Sequence, residues 1–366
     1  MKLIFFLIAF SLLSIRVYFS WSGKDKEKRG ESVSSMVIKS DNFYEEIKYS
    51  GKYQLTDDET GFKSISPGGY FKFRKNDESV MAESNLKGEI EYRIYDGEKN
   101  LALDEEGKKL VAEAIKEMIA WGFDVKARME RIYQKGGSSA LISEIDSMKT
   151  DQIKAIYLDR VFDSDSSLPE DLPLILLKIE SLGFDPDKSL FLKKISPDQL
   201  KNPETAAAYF LVIEKMGSDM DKSGSLQHIL DQDSVTEENA GKILVMSAKL
   251  GSDMDKVNLY RKMISRGLIS GPLFDSLLNR VSLMGSDMDK VTLYKNLLEE
   301  KSISEEQWIK LIDKTQQLGS DMDKSSLLIT IAQKMPKTET VKASYLKSAK
   351  TIHNDSDYGR TLRAAE

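Results

Sequence analysis

Cysteine is absent from the chain. Without it there is no disulfide, no thiolate zinc site, no iron–sulfur cluster and no cysteine nucleophile. The same absence suits any redox compartment, so it does not locate the protein. Histidine is nearly absent as well: His228 and His353 are the two in 366 residues, and mechanisms that need several imidazoles are excluded. An excess of basic charge is missing too. Lys and Arg number 53 against 59 Asp and Glu, a net charge of −6, where a general nucleic-acid binder is expected to be basic. Nucleotide and hydrolase signatures are lacking: there is no G-x-x-x-x-G-K-[ST], no G-x-G-x-x-G after a strand, no H-E-x-x-H and no G-x-S-x-G. The spacings Ser344-x-x-Lys347 and Ser84-x-x-Lys87 match a bare S-x-x-K. Ser344 falls in mid-helix without the companion motifs such enzymes need. No catalytic, cofactor or metal site is therefore expected.

What remains is an ordinary folded composition, 40% hydrophobic and 31% charged, long enough for two or three domains. Residues Leu3 to Ile15 (LIFFLIAFSLLSI) are almost wholly apolar after Lys2. Thirteen residues suit a secretory h-region better than a bilayer span. The rival is an uncleaved anchor running to about Trp21, interrupted by Arg16, with Tyr18, Phe19 and Trp21 at the interface. Residues 1–22 are thus expected to be a signal peptide or membrane anchor, and residues 23–40, polar and charged, a linker. The protein is expected to be exported, to the periplasm or cell envelope, with the membrane reached through this segment where it is uncleaved.

From Glu45 the pattern alternates. Ile47, Tyr49, Gly51, Tyr53 and Leu55 share one face, with Glu46, Lys48, Lys52 and Gln54 opposite, as in a half-buried strand. Turn signals at Thr56-Asp57-Asp58, Ser66-Pro67-Gly68-Gly69 and Asp96-Gly97 separate further strands at 70–74, 79–82 and 89–95. Residues 41–100 read as a small antiparallel meander of four or five strands whose aromatics form its core. Asp104 then caps a helix with Val111, Ala114, Ile115, Met118 and Trp121 on one stripe, stopped by Gly122.

Repetition dominates the rest. GSDMDK begins at Gly217, Gly251, Gly285 and Gly319, always 34 residues apart. Degenerate copies begin at Gly183 (GFDPDK), Lys149 (KTDQIK) and His353 (HNDSDY), and a shortened copy at Gly122. Each repeat reads as two antiparallel helices, A and B. The Gly is expected in the left-handed conformation at the end of the preceding helix, and S-x-x-D is expected to cap helix A with its carboxylate reaching back over the first turn. Helix A buries sets such as Leu259, Tyr260, Met263 and Ile264. Helix B carries three columns: Ile175, Tyr209, Ile243, Leu277, Leu311, Tyr345; then Leu176, Phe210, Leu244, Leu278, Ile312, Leu346; then Leu182, Met216, Leu250, Met284, Leu318, Ile352. One hairpin cannot bury such a stripe, but stacked neighbours can. The fold class is α+β, mainly α: an α-solenoid of 34-residue hairpins over residues 101–366, loosely HEAT-like, after the β meander.

The repeated hexad is the candidate site. Its D-x-D lacks the EF-hand pattern and has Lys beside the second Asp, which disfavours calcium. The expectation is a cap plus a charge ladder, with Asp of one repeat near Lys of the next. The same edge is a candidate partner-binding ridge: Asp219, Asp221, Lys222, Asp253, Asp255, Lys256, Asp287, Asp289, Lys290, Asp321, Asp323 and Lys324. A basic stripe on helix A, with Lys193, Lys194, Arg261, Lys262 and Lys295, is a second surface feature, read as a solvated face.

The terminal HNDSDYGRTLRAAE and the SDMDK copies resemble the SSDYEK-type helical repeats of uncharacterised exported bacterial proteins. Similar repeats follow the peptidase domain of antibiotic-sensor-type membrane metallopeptidases. LTDDETGFKSISPGGYFKF resembles the β region that precedes such repeats, so the likeness covers most of residues 41–366. It brings no catalytic residues, and the peptidase H-E-x-x-H is missing. Met-Asp-Lys stands here where the family shows Tyr-Glu-Lys. The resulting expectation is a non-catalytic scaffold, exported or membrane-tethered, that offers its solenoid to a protein or peptide partner, with neither cofactor nor nucleic acid. A regulatory sensor ectodomain is the alternative, then a hydrolase with a site where sheet meets solenoid.

Overall fold

The computed structural model describes residues 6–9, 16–22, 33–40, 42–163, 168–196, 198–231, 235–299 and 303–365. It divides into two compact units, one up to Lys154 and one from Ala155. The first unit holds the sheet together with the first two helices.

In the first unit, strands β1 (Phe6–Ala9), β2 (Arg16–Ser22), β3 (Val33–Ser40) and β4 (Phe43–Ser50) are followed by the hairpin β5 (Tyr53–Leu55) and β6 (Phe62–Ile65). Strands β7 (Tyr70–Lys75), β8 (Glu78–Ser84), β9 (Ile90–Asp96) and β10 (Lys99–Leu101) complete the set. Eight of them form one antiparallel sheet in the order β1-β2-β3-β4-β7-β8-β9-β10, and β5–β6 pair separately. The meander is thus larger than the four or five strands expected. Val33–Ser40, read as linker, pairs with β4 along its whole length and buries Met36 and Ile38. Among the described side chains of this strand two apolar residues face inward, too few to stand out from a polar stretch.

The apolar N-terminal stretch is described at Phe6–Ala9 and Arg16–Ser22, which pair as strands. Residues 1–5 and 10–15 of that stretch, like 23–32 of the expected linker, lie outside the described residues. Among the described residues, no helix is long and apolar enough to cross a membrane.

The strand expected over 45–55 is two strands. Gly51 turns between them at φ +88°. The alternation also misjudged β4, which lies mid-sheet between β3 and β7 and is covered on both faces. Glu45 and Glu46 are buried there. Glu46 is held by Lys48 at 2.5 Å and Lys72 at 3.0 Å. The aromatics are core: Tyr49 meets Tyr53 and Phe123 edge-on at 5.4 and 5.3 Å, and Phe62 lies 5.0 Å from Phe71.

Helix α1 (Glu105–Ala120) starts on the Asp104 carboxylate, which accepts from the N–H groups of Glu106 and Gly107. Its stripe of Val111, Ala114, Ile115 and Met118 is buried, packed toward β8 and β9. Gly122 ends it at φ +82° as expected. Helix α2 (Val125–Glu144) is the shortened copy, its two helices joined without a loop at Gly137, φ 63°. Leu141, Ile142, Ile145 and Met148 are buried, the helix-B pattern intact.

The remaining helices alternate between A and B types. The A helices are α3 (Asp151–Phe162), α5 (Asp185–Leu192), α7 (Asp219–Leu230), α9 (Asp253–Ser265), α11 (Asp287–Leu297), α13 (Asp321–Lys334) and α15 (Asp355–Ala364). The B helices are α4 (Leu168–Glu180), α6 (Pro203–Lys215), α8 (Glu237–Ser247), α10 (Pro272–Ser282), α12 (Glu305–Thr315) and α14 (Glu339–Ala349). In the second unit, from α5 to α15 each A helix packs on the next, and from α4 to α14 each B helix does likewise, a two-layer stack. All six residues of the first helix-B column have no exposed surface, from Ile175 to Tyr345. The second column is buried until Leu346, which is 36% exposed; among the described residues no B helix packs on α14 beyond α12.

Candidate functional site

The hexad forms the start of helix A in every copy. Ser218, Ser252, Ser286 and Ser320 are N-caps whose hydroxyls accept from the N–H of the second Asp, at 3.2–3.3 Å. The first Asp has another task. Asp185 Oδ2 accepts from Gly217 N–H at 2.6 Å, Asp219 from Gly251 at 2.7 Å, Asp253 from Gly285 at 2.7 Å and Asp287 from Gly319 at 2.6 Å. Asp321 closes the series with His353 and Asn354 N–H, both at 2.9 Å. Each carboxylate therefore staples its repeat to the backbone of the next.

This corrects two expectations. The glycines at 217, 251, 285 and 319 are not left-handed; none has positive φ. A Cβ there would lie 3.2–3.6 Å from the stapling carboxylate. Close approach to that oxygen, and not backbone handedness, favours Gly, and His353 shows that a side chain is tolerated. The charge ladder is also different. Lys pairs with the first Asp of its own repeat, not the neighbour's: Lys188–Asp185 at 3.4 Å, Lys256–Asp253 and Lys290–Asp287 at 3.1 Å, Lys324–Asp321 at 3.8 Å. Lys222–Asp219 is looser at 4.0 Å. Three residues apart on one helix turn is within reach, whereas the neighbour's backbone N–H groups already occupy the other oxygen.

The electrostatics follow. Burial pushes the carboxyls of Asp185, Asp253, Asp287 and Asp321 up, but the N–H groups of the next repeat and the adjacent lysine outweigh it. All four sit below the ordinary carboxylate value.

Of the twelve predicted ridge residues, the first Asp and the Lys of each copy are thus committed to the fold. Asp221, Asp255, Asp289 and Asp323 are half-buried, and among the described residues no side-chain hydrogen bond or ion pair engages their carboxylates, so the expected reach back over the first turn does not form and the Ser hydroxyl alone makes the side-chain cap. The residue between the two aspartates entered the expectations only through the resemblance, as the Met that stands where that family shows Tyr, and not as one of the twelve ridge residues. Met220, Met254, Met288 and Met322 are 75%, 70%, 71% and 64% exposed. The signal was present: an apolar residue, identical in four copies, at a position outside every buried column.

The basic stripe is partly consumed by packing. Lys194 bonds Asp159 at 2.7 Å and lies over the rings of Phe162 and Phe191. Lys262 pairs with Asp231, and Lys295 donates to Ser326 at 2.8 Å. Ser344 donates to Asp313 while Lys347 is exposed, so that S-x-x-K assembles nothing.

The first unit holds a cavity of about 740 Å³ between the β5–β6 hairpin and α2, lined by Tyr53, Asp57, Glu59, Asp124, Arg131 and Lys135 among others. Arg128, buried beneath, grips both Glu59 oxygens at 2.9 and 3.0 Å and Glu144 at 2.8 Å. Arg131 reaches Asp124 at 3.2 Å. The Tyr53 hydroxyl is buried with no hydrogen-bond partner among the described residues, and burial pushes the phenol up. No group of three or more His, Cys, Asp or Glu able to hold a metal ion occurs among the described residues.

No family model, curated protein or solved structure matches the chain.

Proposed function

We propose that the protein is a non-catalytic scaffold whose helical stack presents an extended surface to a protein or peptide partner. The observation that carries this reading is the methionine row: four successive copies hold the same large apolar side chain in solvent, at a position the core does not use. An apolar residue repeated along one edge without burial is what a docking surface requires and a bare structural repeat does not. The chemistry expected of an enzyme draws no support from the cavity, since Glu59 and Asp124 are both ion-paired by arginines.

We further propose export to the cell envelope, directed by the apolar Leu3–Ile15, with tethering where that segment is retained. The support is compositional. N-terminal sequencing of the mature protein with cell fractionation tests it: a cleaved envelope protein or an intact membrane-fraction protein is expected, and an intact protein in the soluble cytoplasm overturns it.

A photoreactive residue placed at Met254 and, separately, on helix B at Lys314 tests the scaffold role in the native host. A discrete adduct from either position is expected; a protein that yields no adduct from any helix A or helix B position overturns the reading. A sensor ectodomain is the second reading. The cavity under the β5–β6 hairpin, with its Tyr53 hydroxyl unpartnered among the described residues, is the observation that favours it.

A further inference from the structure

We infer that the edge running from Met220 to Met322 docks a cationic amphipathic segment of a partner protein. This deepens the scaffold reading and rests on it. Four observations converge on that occupant.

The first is apolar surface with defined ends. The four methionines are 64–75% exposed, and the flanking copies interrupt the row with Pro186 and Ser356 at the same position. A polar residue serves at Ser356 within α15, so the helix start does not itself need methionine. The second is the side chain chosen. Methionine is unbranched and polarisable, and it adapts to varied apolar partners at peptide-binding surfaces.

The third is charge. Each lysine of the hexad is occupied by its own first Asp, and that Asp also by the next repeat's backbone. The second Asp of each copy, at 221, 255, 289 and 323, has no ion pair among the described residues. Every step of the row thus shows one methionine next in sequence to one carboxylate that has no ion pair among the described residues. Such an edge repels acidic segments and attracts lysine and arginine.

The fourth is spacing. Successive A helices pack directly from α7 to α13, which sets steps of roughly 8–10 Å. A partner helix advances about 10.5 Å in seven residues. An apolar residue once per heptad, flanked by cations, therefore meets one methionine and one carboxylate per repeat.

The experiment uses the purified chain and a fluorescent helical peptide of about three heptads, with Leu once per heptad flanked by Lys and Arg. The comparison peptides are a scrambled one of equal composition and one with Glu in place of the cations. Saturable binding of the cationic heptad peptide is expected, weakened by salt, with the Glu peptide not binding. Met220→Ser, Met254→Ser, Met288→Ser and Met322→Ser combined should weaken binding at least about tenfold, as should Asp→Asn at 221, 255, 289 and 323. Circular dichroism and urea midpoints check that both variants fold; where the fourfold variant does not, Met254→Ser with Met288→Ser replaces it and should weaken binding at least about threefold. No saturable binding, equal binding of the scrambled peptide, or unchanged affinity in the methionine variant overturns the inference. A photo-adduct from Met254 with a partner that lacks a cationic segment overturns it too, while leaving the scaffold reading standing.

Discussion

The carboxylate of Asp253 accepts the backbone N–H of Gly285 at 2.7 Å, one full repeat further along the chain. The same bond recurs at five successive steps, from Asp185 to Asp321. It satisfies an N–H that lies just before helix A, beyond the reach of the helix's own ladder. The lysine three residues on neutralises the same carboxylate. One side chain therefore couples the local helix start to the stacking of neighbours.

Removing the staple should cost stability in a position-specific way. Asp253→Ala is expected to lower unfolding free energy by about 1 kcal/mol, the net worth of a partly exposed charge-assisted bond. Asp255→Asn, at a carboxylate without a partner, should change it by less than about 0.5 kcal/mol. Urea denaturation of the two variants side by side makes the comparison. Equal effects would remove the staple from the account of stacking.

Acid should reveal the same bonds. The native state holds Asp185, Asp253, Asp287 and Asp321 below the ordinary carboxylate value. Their contribution is fully present above the unfolded value of about 4 and is lost as pH falls through the lower native values. The urea midpoint should therefore decline below about pH 4. Asp253→Asn combined with Asp287→Asn should flatten that decline, measured from pH 2 to pH 7 in about half-unit steps.

Two glycines should respond very differently to Ala. Gly122 sits at φ +82°, and a Cβ there would meet Ile153 Cδ1 at 2.3 Å. Backbone strain and overpacking together predict a loss of about 2–4 kcal/mol for Gly122→Ala. Gly285 has no positive φ, and its Cβ would stand 3.4 Å from the Asp253 oxygen. Gly285→Ala should stay within about 1 kcal/mol of the parent, in either direction. Thermal unfolding of both variants checks the contrast.

The end of the stack should be visible in one column. Leu278 is 1% exposed and Leu346, its counterpart, 36%. Leu278→Ala should cost about 2–5 kcal/mol, whereas Leu346→Ala should cost under about 1 kcal/mol. Hydrogen exchange should show the Leu278 defect concentrated in α8 to α12, its nearest neighbours in the stack, as expected of quasi-one-dimensional stability.

The sequence by itself determined the repeat period, the paired helices, Ser as the capping residue and the three helix-B columns, buried but for Leu346. Each of these repeats at fixed spacing, so periodicity alone places it on a helix face. It also determined the turns at Ser66–Gly69 and Asp96-Gly97, where Gly and Pro act locally. The tertiary structure decided what touches across repeats. Whether Asp253 meets Lys290 or Gly285 depends on how one helix start sits on the next, and that offset leaves no trace in spacing. The same holds for β3, whose two inward apolar residues become legible only beside β4, and for Glu46, buried because strands close on both sides of it. The exposure of Met254 belongs to this second class. An apolar side chain reads as core until the packed neighbours are seen to leave it in water.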